Sequence, residues 1–133
     1  MRISVVHPHR VTREMLSHTL AGRLGATVVD FSSIEDLLGS SMDYDVFVLY
    51  NIFGREKMDR WEGVKWIRYN KPEALIISMV HHRFFDRRFA APGGDAVLLR
   101  VGDETEGLIK LIQQGHKSKS FILISGLIDK SRD

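Results

Sequence analysis

Short β-branched runs alternate with apolar residues at helical spacing along the chain. Ile3, Val5 and Val6 make a brief apolar run closed by His7-Pro8, and proline keeps the residue before it out of the helical region, so a strand is predicted. Between Val11 and Leu24, the residues Val11, Met15, Leu16, Thr19, Leu20 and Leu24 recur at the spacing of one helical face, and Gly25 follows as a stop signal. Ala26 to Phe31 reads as a second strand; Ser32 or Ser33 then caps a short helix over Ile34 to Leu38, closed by Gly39. Asp45 to Tyr50 and Ala74 to Val80 lack in/out alternation, as expected of central parallel strands covered on both faces. Between them Val64, Trp66 and Ile67 give Glu62 to Tyr69 a helical spacing that Pro72 ends. His82 to Ala90 reads as a helix with Phe85 and Phe89 four apart, Pro92-Gly93-Gly94 as a turn, and Ala96 to Leu99 as a fifth strand. A last regular helix runs from about Glu104 to Gln114, with Leu108, Leu111 and Ile112 on one face.

Strands alternating with helices at this interval predict an α/β fold: a five-stranded parallel sheet, doubly wound with helices on both sides and flavodoxin-like in architecture. A chain of 133 residues holds one such domain, expected over 1–115, followed by a tail, 116–133, expected to form a short linker helix. The 44% hydrophobic and 27% charged fractions suit a soluble globular protein. With no cysteine, disulfides, thiolate metal sites and cysteine nucleophiles are excluded, and a cytoplasmic location is compatible. The amino terminus does not read as a signal peptide, and the apolar stretch Phe121 to Leu127 is far shorter than the roughly 20 residues of a membrane span. The net charge of +2 is spread through a chain in which bases and acids interleave, which does not read as a dedicated DNA-binding surface.

In doubly wound sheets ligands bind beyond the carboxyl ends of the strands, where strand order reverses, so those loops carry the candidate chemistry. Two segments there give a resemblance. His9-Arg10-Val11-Thr12-Arg13-Glu14-Met15-Leu16 is similar to the start of helix one in bacterial response-regulator receiver domains, and Gly94-Asp95-Ala96-Val97-Leu98-Leu99-Arg100 to their Gly-Ala-x-Gly-Tyr-Leu-Leu-Lys stretch. The resemblance covers roughly the first 115 residues and implies a set of functional positions. The paired acids fall on His7 and Pro8, and the phosphoacceptor aspartate on Tyr50, or on Asn51 in the adjacent register. The family's hydroxyl is retained as Ser78, its lysine is replaced by Arg100, and its switch aromatic by Val97.

Magnesium requires hard oxygen ligands and an acyl phosphate forms on a carboxylate, so the replaced acids predict a degenerate receiver that cannot accept a phosphoryl group. No magnesium is expected. A transition metal on His7, His9, His81 and His82, which the fold brings to one end of the sheet, is the alternative chemistry; the blander reading makes these exposed polar residues. Tyr50 reads as a packing residue at a strand end, and Arg83 to Phe89 as an amphipathic helix rather than a nucleic-acid surface. No nucleophile and base stand together at a strand end, so an enzyme is the least favoured class.

The tail, from Ile112 through Lys117 to Ile128, is similar to the linker of LuxR/NarL-type transcription regulators. Phe121, Ile124 and Ile128 form one helical stripe, and Leu123 and Leu127 another. Two arrangements cover that apolar surface: a homodimer through the last helices, with Leu108, Leu111, Ile112, Phe121, Ile124, Leu127 and Ile128 as contacts, or a tail folded back on its own domain. The chain is thus expected to be a phosphorylation-independent regulatory domain, the amino-terminal part of a transcription regulator. It would act through dimerisation and protein or ligand binding, with DNA bound only by a domain absent from this chain. A stand-alone adaptor and a histidine-based metal- or cofactor-binding domain are the alternatives.

Overall fold

The computed structural model describes residues 1–41, 43–50, 60–81, 96–100, 105–115 and 123–124. The elements are β1 (Arg2–Val6), α1 (Arg10–Leu24), β2 (Thr27–Phe31), α2 (Ile34–Leu38), β3 (Val46–Tyr50), α3 (Arg60–Asn70), β4 (Leu75–His81), β5 (Ala96–Arg100), α4 (Thr105–Gln114) and β6 (Leu123–Ile124). Among the described residues they build a six-stranded sheet in the order β2-β1-β3-β4-β5-β6, and each adjacent pair is parallel. The α/β class and parallel sheet are those predicted. The helix expected over His82 to Ala90 lies outside the described residues.

The tail departs from the prediction. Leu123–Ile124 is a strand rather than part of a linker helix, with Val97 opposite Leu123 and Leu98 opposite Ile124, so the sheet gains a sixth strand beyond the five expected. Backbone pairing to β5 satisfies there the groups that a helix would have satisfied internally.

The apolar runs of the central strands serve two cores. Ile3, Val5, Val46, Val48, Tyr50, Ile77 and Met79 pack with Leu16 and Leu20 of α1 and with Leu108 and Ile112 of α4. On the opposite face Val6, Phe47, Leu49 and Ile76 pack with Ile34 and Leu37 of α2 and with Val64 and Ile67 of α3. Alternate residues of one strand therefore enter different cores, which is why β3 needs five consecutive apolar residues. This arrangement corrects the expected dimer contacts on α4: Leu108, Leu111 and Ile112 are already buried in the core of their own domain and have little surface left for a partner.

Local signals set the helix ends. Ser33 caps α2, its hydroxyl accepting from the Asp36 amide at 3.1 Å, while the Ser32 hydroxyl donates to the Asp36 carboxylate at 2.7 Å. Gly25 ends α1 in the left-handed region, with φ 63°. A Cβ there would meet nothing within 4 Å, so the cost of Gly25→Ala is backbone conformation alone. We expect a loss of about 1 kcal/mol, read as a lower midpoint in urea with an unchanged slope.

Candidate functional site

Strand order reverses between β1 and β3, since β1 is followed in space by β2 on one side and β3 on the other. The chain ends of these two strands therefore frame the crevice in which doubly wound folds bind ligands. His7 follows β1 and Tyr50 closes β3, and the topology brings them together. Their rings lie 4.2 Å apart between centroids, tilted by 65° in an edge arrangement. Both are removed from solvent, His7 at 1% and Tyr50 at 3% exposure. Tyr50 points toward α1 and α4 as part of that core, in agreement with its reading as a packing residue.

The β1–α1 turn is held from several directions. The His7 amide donates to the Phe31 carbonyl at 3.1 Å, extending the β1–β2 ladder by one residue. The His9 amide donates to His7 Nδ1 at 2.9 Å. An acceptor Nδ1 carries a lone pair, so the neutral ring bears its proton on Nε2. Arg13 of α1 then spans the turn: its Nη1 donates to the His7 carbonyl at 2.9 Å and its Nε to Asp30 Oδ1 of β2 at 3.0 Å. Arg13 belongs to the candidate machinery although composition and spacing gave no sign of its role; its partner lies 17 residues away and is brought near only by the β1–β2 pairing.

The remaining predicted positions divide between placed and unplaced. Pro8 is half-buried beside His7, and His9 is exposed, its ring 5.4 Å from that of His7. Ser78 is buried near the end of β4, opposite Leu49 on β3 and Val97 on β5. His81 and Arg100 are register partners at the ends of β4 and β5, so their backbones lie at the same end of the sheet as His7 and Tyr50. Asn51 and His82 lie outside the described residues, as do Phe121, Leu127 and Ile128 of the tail; Ile124 is in β6. Among the described residues no group of three or more His, Cys, Asp or Glu side chains could hold a metal ion.

Beside the His7–Tyr50 pair, Thr12, Met15, Leu16, Thr19, Tyr50 and Thr105 line a cavity of about 220 Å³ between α1 and the start of α4. Arg23 in the last turn of α1 donates to Glu106 in the first turn of α4 at 2.6 and 3.3 Å. The guanidinium holds the Glu106 carboxyl below the usual glutamate range, chiefly through the hydrogen bond and then through its charge. A lowered folded-state pKa places this contribution above the unfolded value of about 4.3, and it is lost as pH falls through the lower folded one. The pair is exposed and screened, so it orients the helices more than it stabilises them.

Solved structures share this arrangement of strands and helices. A two-component response regulator of the LuxR family from Aurantimonas superposes with a TM-score of 0.71 at 19% identity, over 97% of this chain and 92% of its own. A two-component response regulator from Clostridium difficile does so with a TM-score of 0.68 at 20% identity, over 83% of this chain and 91% of its own. The fold is that of response-regulator receiver domains. A receiver-like fold also occurs in a streptococcal protein described as one of a family of redox sensors evolved from two-component response regulators; its TM-score is 0.71 at 18% identity, over 98% of this chain and 54% of its own. No family model and no curated protein matches the sequence. No helix among the described residues is long and apolar enough to cross a membrane.

Proposed function

We propose that this chain is a receiver-fold regulatory domain that has given up phosphoryl transfer and works by binding. The observation that carries the reading is the contact between His7 and Tyr50, two buried rings at the strand ends where the receiver resemblance puts an acidic residue and the phosphoacceptor. An imidazole and a phenol supply no carboxylate on which an acyl phosphate could form. Nor do they supply the oxygen-rich set that magnesium demands. With Nδ1 accepting from the His9 amide, the neutral ring carries its proton on Nε2 and offers a metal no lone pair there, which argues against the histidine-metal alternative.

Conformational control in such a domain falls to association with a protein partner, a second copy included, or to an anionic small molecule drawn to Arg100 and the nearby histidines. The streptococcal redox sensors are a precedent for a receiver fold turned to another signal. This chain has no cysteine, so a thiol cannot be its sensing group. The fold shared with a LuxR-family response regulator supports a place for this domain in a transcription regulator, with DNA contacted by another domain.

The test is incubation with acetyl phosphate and Mg²⁺ followed by intact-mass and peptide analysis. We expect no phosphoryl adduct under conditions that label a conventional receiver domain in parallel. An adduct on any aspartate or glutamate overturns the reading.

A further inference from the structure

Along α3 the residues Glu62, Lys65, Trp66 and Tyr69 stand three and four positions apart, which places them on one side of the helix. Val64 and Ile67, on the other side, are buried in the core shared with α2. The sequence thus gives the outer face of this helix two aromatic rings and two opposite charges. Tyr69 is 86% exposed, more than any other large hydrophobic side chain described, and Trp66 is 46% exposed. Rings of this kind are enriched at protein interfaces and carry a large share of their binding energy. Helix α1 also shows large side chains to solvent, Val11 and Met15, but the charges beside them are already joined to each other, Arg10 to Glu14 at 2.9 Å. On α3 the Arg68 Nη1 is engaged past the helix end, donating to the Pro72 and Ala74 carbonyls at 2.9 and 2.7 Å. Among the described side chains of α3 this leaves Glu62 and Lys65 as the charges beside the rings.

At about 3.6 residues per turn, Tyr69 lies near the middle of this face, Lys65 on one flank, and Trp66 with Glu62 toward the other. Two identical helices paired antiparallel about a two-fold axis bring like flanks together, which would set Lys65 against Lys65 of the second copy. Paired parallel, each flank meets the opposite one. Lys65 of each copy then faces the Trp66 ring and the Glu62 carboxylate of the other, a cation over an aromatic face beside an ion pair, and the two Tyr69 rings meet at the centre. In that arrangement the face is complementary to itself. We propose that α3 is a self-association surface, on which a second copy of the chain docks its own α3 in parallel about a two-fold axis. This rests on the reading of the domain as one that acts by association, and it supplies a contact surface that α4, with its apolar face in the core, does not. A helix of about three turns covers a small area, so the dimer is weak and forms as concentration rises.

The test is sedimentation velocity of the full chain over a concentration series into the millimolar range, for the parent and for Glu62→Lys, Lys65→Glu and Tyr69→Ser. All three positions are exposed, so each variant should melt with the parent. We expect a monomer–dimer equilibrium in the parent, weakened roughly tenfold or more by each substitution. The deciding measurement is an equimolar mixture of Glu62→Lys and Lys65→Glu. In their heterodimer one Lys65–Glu62 contact is kept and the other returns with its charges exchanged, so the mixture should associate roughly tenfold more tightly than either variant alone. Tyr69→Ser alters no charge and keeps the test decisive if a charge variant fails to melt cooperatively. A parent chain that stays monomeric leaves the face to a different protein and overturns the proposal. A dimer that the substitutions spare lies on another face and overturns it too. Weakening without recovery in the mixture excludes the parallel pairing and likewise overturns it. None of these outcomes bears on whether acetyl phosphate labels the chain, so the α3 proposal and the loss of phosphoryl transfer can fail separately.

Discussion

Phe47→Ala lowers the unfolding free energy by about 3–5 kcal/mol, a large part of the roughly 5–15 kcal/mol that holds a domain of this kind together. Phe47 is the second residue of β3 and has no exposed surface; among the described residues it is the largest of the fully buried side chains. It packs with Leu37 of α2, Val64 and Ile67 of α3 and Ile76 of β4, and its ring meets Tyr44 at 5.8 Å in an edge arrangement. Removing it leaves a cavity between two layers already braced by the other strands, so collapse can recover little of the lost contact. Urea unfolding followed by circular dichroism measures the effect. Met15→Ala, on the exposed face of α1, is the companion measurement and should stay within about 0.5 kcal/mol of the parent. A Phe47→Ala loss no larger than that of Met15→Ala would show that the α2–α3 face is not a packed core. Because β3 delivers Tyr50 to His7 two residues past Val48, such a finding would also remove the rigid support from under the candidate site.

The sequence shows the sheet more plainly than the site. Apolar runs at Val46 to Tyr50 and Leu75 to Met79 read as strands buried on both faces, and the structure divides each between two cores. Gly25 and a cap at Ser32 or Ser33 are readable from local chemistry without tertiary context, and the structure gives the cap to Ser33. The tail was different. Leu123 and Ile124 sit in an apolar stretch whose residues also fall at helical spacing, and two residues of strand have no periodicity to set against it. What decides their state is a pairing with Val97 and Leu98 more than twenty positions earlier. Leu108, Leu111 and Ile112 were correctly seen as one apolar face of a helix, but spacing cannot say whether such a face meets a partner or its own sheet. At the site, the position of His7 and Tyr50 at strand ends is legible in the sequence, while their mutual contact follows from β1 and β3 being neighbours.

Arg13→Ala should cost about 2 kcal/mol and lower the melting temperature by about 6–10 °C, the largest effect expected from any single charged residue among those described. The side chain is 14% exposed and Asp30 32%, so the pair is shielded more than the exposed Arg10–Glu14 and Arg23–Glu106 pairs. Its guanidinium also serves the His7 carbonyl, so one side chain ties α1, the β1–α1 turn and β2 together. Asp30→Ala removes only the β2 end of that span and should cost less. The double variant should fall short of the sum of the two by about 1 kcal/mol, because the residues share an interaction. Arg13→Lys is the informative substitution: a single ammonium cannot reproduce two donors in a fixed fork, so it should behave nearer to Ala than to Arg. A structural staple on the surface would show in stability alone. A residue that positions the turn must also alter His7, because the amide that donates to its Nδ1 belongs to the turn Arg13 holds. Long-range ¹H–¹⁵N spectra of the imidazole should report the Nε2–H tautomer in the parent chain and a mixture of tautomers in Arg13→Ala. An unchanged tautomer with lowered stability would confine Arg13 to stapling. An unchanged stability would mean that the α1–β2 span carries no weight, and that contacts such as the His7–Phe31 and His9–His7 bonds hold the turn without it.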